Sequence, residues 1–155
     1  LASLRKDGKK AVGIRARGTV MNESCALARL AQDRAAEGDI NVFLNKNGII
    51  PVGDCLQIHA KESGATEYCY IAAIDYETNS FRLSSPLQNS YRRGDYFLPV
   101  METYSDEHGE VALYFRPYRE KCFKVILEFF IDDYVVTREV DMVEGKVNNL
   151  GVVNL

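Results

Sequence analysis

The chain has 155 residues, 46% hydrophobic and 26% charged, which is enough apolar matter for the core of one domain or two small ones. That composition excludes a disordered polymer and a disulfide-stapled miniprotein. The longest apolar runs fall far short of the roughly eighteen residues that a membrane-spanning helix needs. The net charge of −3 is uneven: residues 1–40 sum to +3, residues 41–100 to −1 and residues 101–155 to −5. The acidic last third speaks against long nucleic acids as partners, since phosphate backbones call for a basic face. The first residues are too polar and basic for a signal peptide, and the missing initial Met implies a start inside a longer protein.

Residues 1–10 read as a polar arm. Val12, Ile14 and Val20 give Ala11 to Val20 a weak strand character. Asn22 then reads as an N-cap, and Glu23 to Ala36, free of Gly and Pro and rich in Ala, Leu and Arg, predicts a helix stopped at Gly38. Leu27, Leu30 and Ala31 would form its single apolar face. From Asp39 the character turns to β. Val42-Phe43-Leu44 ends in the turn Asn45-Lys46-Asn47-Gly48, and Leu56, Ile58 and Ala60 alternate with Gln57 and His59. Glu62-Ser63-Gly64-Ala65 makes a hairpin loop into Tyr68 to Ile74. Tyr76-Glu77-Thr78-Asn79 turns into Phe81-Arg82-Leu83, and Arg93-Gly94-Asp95 introduces Tyr96-Phe97-Leu98. This spacing suits a small barrel or sandwich.

The polar stretch Ser105 to Gly109 is the best candidate boundary. Val111, Leu113 and Phe115 alternate beyond it. Phe123, Val125, Leu127, Phe129 and Ile131 form the clearest strand, turned at Asp132-Asp133 into Tyr134 to Val140, and the last strand is Gly151 to Leu155. The expected fold class is therefore mainly β (α+β): two small antiparallel β-barrel or sandwich modules with one N-terminal helix. Residues 1–40 form the arm and helix, 41–105 a β-meander barrel and 106–155 a second β module.

Catalytic signatures are missing. There is no G-x-S-x-G, P-loop or H-E-x-x-H, and Cys25, Cys55, Cys69 and Cys122 show no zinc spacing with His59 or His108. A non-enzymatic protein is expected, without metal or resident cofactor. Scattered buried thiols suit a reducing, cytoplasmic compartment. Cys55 and Cys69 lie on two arms of one hairpin but not directly opposite, so a bridge between them is the alternative. Arg93-Gly94-Asp95 spells an adhesion tripeptide, yet it sits where turn chemistry alone accounts for it.

One constellation points to a ligand. Arg116, Arg119, Lys121 and Lys124 fall within nine positions before the strongest strand, with Pro117 and Tyr118 among them, in an otherwise acidic region. Arginine forks hold phosphate oxygens or a guanine edge, and aromatic or guanidinium planes stack on bases. Neutralisation of Glu120, Glu128 and neighbouring acids is the plainer account of the same residues.

Pro51-Val52-Gly53-Asp54-Cys55-Leu56-Gln57-Ile58, Ile74-Asp75-Tyr76, Leu83-Ser84-Ser85-Pro86-Leu87 and Arg93-Gly94-Asp95-Tyr96 resemble in rhythm the N-terminal barrel of flagellar-brake proteins. In that family a PilZ domain follows and binds cyclic di-GMP through an R-x-x-x-R tract. Here Arg119 matches a basic position, while Glu120 and Lys124 stand in place of the two motif arginines. Asn154 would open the family's second signature, [D/N]-x-S-x-x-G. The resemblance implies a cyclic-dinucleotide-responsive or degenerate PilZ-type adaptor regulating motility or surface behaviour. It would grip cyclic di-GMP through Arg116, Arg119, Lys121, Lys124 and Asn154, with a protein partner. A helix followed by a β-meander also resembles the soluble part of a minor type IV pilin or pseudopilin, which would place the chain in the envelope. A phage or other assembly β-domain without a small ligand is the third reading.

Overall fold

A computed structural model describes all 155 residues. In chain order the strands are β1 (Ala2–Lys6), β2 (Lys9–Lys10), β3 (Arg15–Val20), β4 (Ala28–Leu30), β5 (Arg34–Ala35), β6 (Asn41–Lys46), β7 (Cys55–His59), β8 (Thr66–Asp75), β9 (Ser80–Leu83), β10 (Tyr91–Arg92), β11 (Tyr96–Tyr104), β12 (Glu110–Val111), β13 (Cys122–Ile131), β14 (Tyr134–Val143) and β15 (Val152–Asn154). The chain divides into two compact units, residues 22–100 and residues 1–21 with 101–155. The polar stretch from Ser105 is a turn inside the second of these. Ser105 is buried there, its Oγ donating to the Ala11 carbonyl and accepting from the Ile14 N–H.

Residues 22–100 form a closed six-stranded barrel in the cyclic order β4-β6-β9-β8-β7-β11. The hairpins follow the sequence reading. β7 pairs antiparallel with β8, and β8 with β9 through the turn at Asn79, which adopts φ +55°. The inward face carries Leu30, Leu44, Leu56, Ile58, Phe81 and Phe97, all essentially inaccessible to solvent. At about 25 cal/mol per Å² of apolar surface, such side chains supply the main driving force of folding.

The predicted helix from Glu23 to Ala36 is not formed. Glu23–Cys25 make one 3-10 turn, and the residues after it become β4 and β5. Burial alternates with period two: Ala26, Ala28 and Leu30 point in, while Leu27, Arg29 and Ala31 are partly exposed. Helix propensity is worth only about 0.7 kcal/mol per residue between good and poor formers. Here it is outweighed by closure, because β4 bonds to β6 on one side and to β11 on the other.

In residues 1–21 and 101–155, two sheets face each other. One has the order β12-β1-β15, with β2 also on β1; the other contains β14-β13-β3. The expected polar arm is thus a central strand. β1 runs parallel to β15 and antiparallel to β12 and β2, and Leu4 is fully buried. Leu1, Ala2 and Val111 from one sheet and Val125, Leu127 and Phe129 from the other line an apolar cavity of about 40 Å³. Gly18 is required at this face: a Cβ there would lie 2.7 Å from Phe115 Cζ and 3.2 Å from Leu127 Cδ2. β13 and β14 pair from Cys122↔Val143 to Ile131↔Tyr134 around the Asp132-Asp133 turn, as the alternation implied.

Leu30→Ala will lower stability by about 2–5 kcal/mol, the range for a large-to-small change in a packed core. Urea denaturation will register it as a shifted midpoint with an unchanged slope. The far-UV circular dichroism of the native chain will lack a helical signature, and a pronounced 222 nm band would contradict the strand assignment of residues 28–35.

Candidate functional site

The five residues assigned to a cyclic dinucleotide are not gathered at one place. Arg116, Arg119 and Lys121 are exposed on residues 112–121, which carry no regular secondary structure. Lys124 projects from the outward face of β13 and pairs with Glu139 of β14, Nζ to Oε1 2.7 Å. That hydrogen bond, reinforced by the charges of Glu139 and Asp141, raises the lysine's pKa. Asn154 belongs to the opposite sheet, on β15 across from Arg5 of β1.

Of the five, Arg116 lines a groove. It holds about 390 Å³ and is walled by Tyr114, Phe115 and Phe123 on one side and by Met142, Glu144 and Lys146 on the other. Tyr114 and Val147 stand about four-fifths exposed at its rim. Lys146 was not singled out in the sequence. It becomes relevant only because the turn after β14 carries it back toward Arg116's segment.

A second cleft, of about 650 Å³, lies at one end of the barrel among Arg34, Lys61, Arg92, Arg93, Asp33 and Glu62. Its cations are largely engaged. Arg92 Nη1 bonds Glu62 Oε2 at 2.6 Å, Arg93 Nε bonds Asp33 Oδ1 at 3.1 Å, and Lys61 Nζ lies 3.2 Å from Glu23 Oε1. Arg34 and Arg92 are directly opposed across the short β5–β10 ladder, so these acids relieve a like-charge pair. Asp95 forms the floor. It is 5% exposed, and its two carboxylate oxygens accept from the Lys61 and Arg92 backbone N–H groups. In the Arg93-Gly94-Asp95 tripeptide the acid is therefore a buried clamp, while Arg93 stays exposed beside Asp33.

Two further polar groups fix the barrel. Glu67 accepts from the N–H groups of Gln88 and Asn89, from Asn89 Nδ2 and from the Tyr91 hydroxyl at 2.8 Å, so one carboxylate holds the loop before β10. Burial, and then the Glu67 carboxylate, push the Tyr91 phenol well above its ordinary value. His59 stacks on Tyr96, ring centroids 5.1 Å apart, and burial lowers its pKa. All four cysteines are free thiols. Cys55 faces Tyr70 and Cys69 faces Leu56, so the two occupy successive register positions and opposite faces of their hairpin. Burial pushes the Cys69 thiol far up.

The remaining feature is a strand edge. β14 ends its sheet and pairs only with β13. The Lys124 carbonyl accepts from the Met21 N–H and so points toward β3. Its partner Asp141, and with it every second residue of β14, must then direct backbone groups away from β13. The Asp141 carbonyl is taken by Asn148 Nδ2 and that of Val143 by the Lys146 N–H. Val135, Thr137 and Glu139 present their N–H groups to solvent, beside the exposed side chains of Tyr134 and Val135. No helix is long and apolar enough to cross a membrane. No protein-family profile and no curated protein matches the chain.

Glu67→Ala strands the hydroxyl of Tyr91 and two loop N–H groups and will cost roughly 2–3 kcal/mol, read by chemical denaturation. Tyr91→Phe will cost less, since it removes one donor and leaves the carboxylate three others. For His59, a lowered pKa in the fold means that the unfolded chain binds the proton more readily. Its contribution is in place above the ordinary value of 6.5 and is lost as pH falls through the lowered one. Stability measured between pH 7.5 and 5 will fall toward acid, and His59→Gln will flatten that dependence.

Proposed function

We propose that the chain is a non-enzymatic β-scaffold subunit of a protein assembly, joining its partner through a strand edge. The observation that carries this reading is the ten-residue strand β14, paired on one side only. Its outer side offers successive N–H donors at Val135, Thr137 and Glu139, flanked by Tyr134 and Val135, each more than two-fifths exposed. A long open edge of this kind is a ready template for pairing with another chain. The barrel, by contrast, is closed and has no edge to lend.

A second reading, a cyclic-dinucleotide-responsive adaptor of PilZ type acting in motility or surface behaviour, is favoured by Arg116 and Lys146 at a groove lined by Phe115 and Phe123. A guanidinium and an ammonium over aromatic walls suit a phosphorylated guanine compound. Glu144 in the same wall opposes it. In this reading Arg116 is the principal contact, and Arg119 and Lys121 add only a diffuse field.

A photoreactive amino acid placed at Val135 or Thr137 will yield covalent partner adducts in the native host, while the same probe at Phe43, exposed on the barrel, will not. Absence of adducts at β14 contradicts the edge reading. Calorimetric titration with cyclic di-GMP decides the second: saturable heat lost in Arg116→Ala would establish it, and no heat at several hundred micromolar ligand removes it.

A further inference from the structure

The partner's chemistry is written in the charges around the open edge. Glu139 and Asp141 lie on the outward face of β14, Asp132 and Asp133 sit at the turn that precedes it, and Glu144 follows its end. The cations nearby are differently disposed. Lys6 pairs with Asp132, Nζ to Oδ2 2.8 Å, Lys124 is engaged by Glu139, and Arg138 lies on the other face, its Nη1 donating to the Thr137 carbonyl, so Asp141 and Asp133 are the acids on which the edge's sign chiefly rests. We propose, resting on the edge reading above, that β14 accepts a basic extended segment of another protein as an added strand, with Lys or Arg on its outward face opposite Glu139 and Asp141.

Charge complementarity, more than pairing geometry, favours this occupant over a second copy of the chain. Residues directly opposite in an antiparallel pair share a face. Over the whole strand the fullest self-pairings that keep each face on its own side are centred on Arg138 or on Glu139, whereas over the open stretch Val135 to Glu139 the fullest is centred on Thr137 and sets Glu139 against Val135. The Arg138 register sets arginine against arginine and the Glu139 register glutamate against glutamate. Each of these two puts like charges at close cross-strand distance, which is destabilising. A basic strand meets no such conflict. It finds the N–H groups of Val135, Thr137 and Glu139, carbonyl acceptors of the same residues, and the carboxylates of Asp141 and of Glu139, the latter shared with Lys124. Arg138 over the Thr137 carbonyl covers the edge in the free protein and can swing aside, being held by that single hydrogen bond.

The probe is a labelled peptide, Lys-Val-Lys-Thr-Lys-Val-Lys, with a Glu-for-Lys counterpart, each titrated into the full chain and read by fluorescence anisotropy. The basic peptide will bind saturably and the acidic one will not. Glu139→Gln with Asp141→Asn will weaken binding about tenfold, and raised salt will do the same, as expected for charge complementarity at an exposed edge. Thr137→Pro removes an N–H that faces away from β13, so it will abolish binding while leaving the β13 ladder intact. Should that variant unfold, alternate N-methylation of the peptide tests the same backbone bonds with the protein unchanged, and it will also abolish binding. Amide exchange will slow at Val135, Thr137 and Glu139 in the complex. Binding of both peptides alike, or binding indifferent to N-methylation, overturns the proposal. So does a β14-dependent dimer in sedimentation, which would make a second copy the occupant. Host photo-adducts at β14 without basic-peptide binding would overturn this inference and leave the edge reading standing; loss of both would remove both.

Discussion

The barrel depends on one strand having two neighbours. β11 bonds to β4 through Tyr96 and Phe97 and to β7 from Tyr96 to Val100. Without the first of these ladders the sheet β4-β6-β9-β8-β7 would remain open, with Leu30 and Phe97 at its margins. Closure also explains the polar clamps. Asp95 stands just before β11 and ties the loops at Lys61 and Arg92, while Glu67 ties Gln88, Asn89 and Tyr91. These carboxylates satisfy backbone donors that a loop buried against a barrel end would otherwise strand. A closed barrel removes its own edges, so the surface capable of strand exchange lies in residues 1–21 and 101–155.

There the same few charges decide between two uses. Read along the sequence, Arg116 to Lys124 is a basic tract facing an anion. Read across the β13–β14 hairpin, Lys124 is a partner of Glu139 and sits opposite Asp141. The second description is the one the geometry shows: the Lys124 ammonium lies 2.7 Å from the Glu139 carboxylate, both about half exposed. Asp141 and Asp133 chiefly give the outer edge of β14 its sign. Arg116 lies instead on the irregular segment before β13, where Phe115 and Leu113 pack near Gly18.

The legible parts of the fold were those determined locally. The alternation from Phe123 to Ile131, the Asp132-Asp133 turn and the hairpin around Ser63-Gly64 stand in the structure as the residues suggest. The turn even contained the register: counting back from Ile131 and Tyr134 puts Lys124 opposite Asp141. What could not be read was decided by distant pairing. β4 is three residues of Ala, Arg and Leu, good helix formers, and becomes a strand because β6 and β11 flank it. β1 looks like a charged arm until β15 arrives from the far end of the chain to lie parallel to it. Neither strand is long enough for periodicity to outvote composition, and neither partner is near in sequence. Lys146 joined Arg116 for the same reason: the contact is a product of the hairpin, not of the local sequence.

An open ten-residue strand with exposed valines would ordinarily pair with anything extended, including itself, so its persistence needs a physical reason. The strand supplies several. Asn148 caps the carbonyl of Asp141, the Lys146 N–H occupies that of Val143, and Arg138 covers that of Thr137. The caps on Asp141 and Val143 belong to the turn after β14 and restrict pairing toward its C-terminal end. The remaining stretch, Val135 to Glu139, is short enough that backbone bonds alone would hold a partner weakly. Charge then does the selecting: self-pairing of this stretch about Thr137 sets Glu139 against Val135 and makes no directly opposed ion pair, registers centred on Arg138 or Glu139 oppose like charges, and neutral segments gain nothing from Glu139 and Asp141. Features that protect an edge against indiscriminate pairing are thereby also those that choose its partner, because each repulsion that excludes one strand is an attraction for a strand of opposite sign.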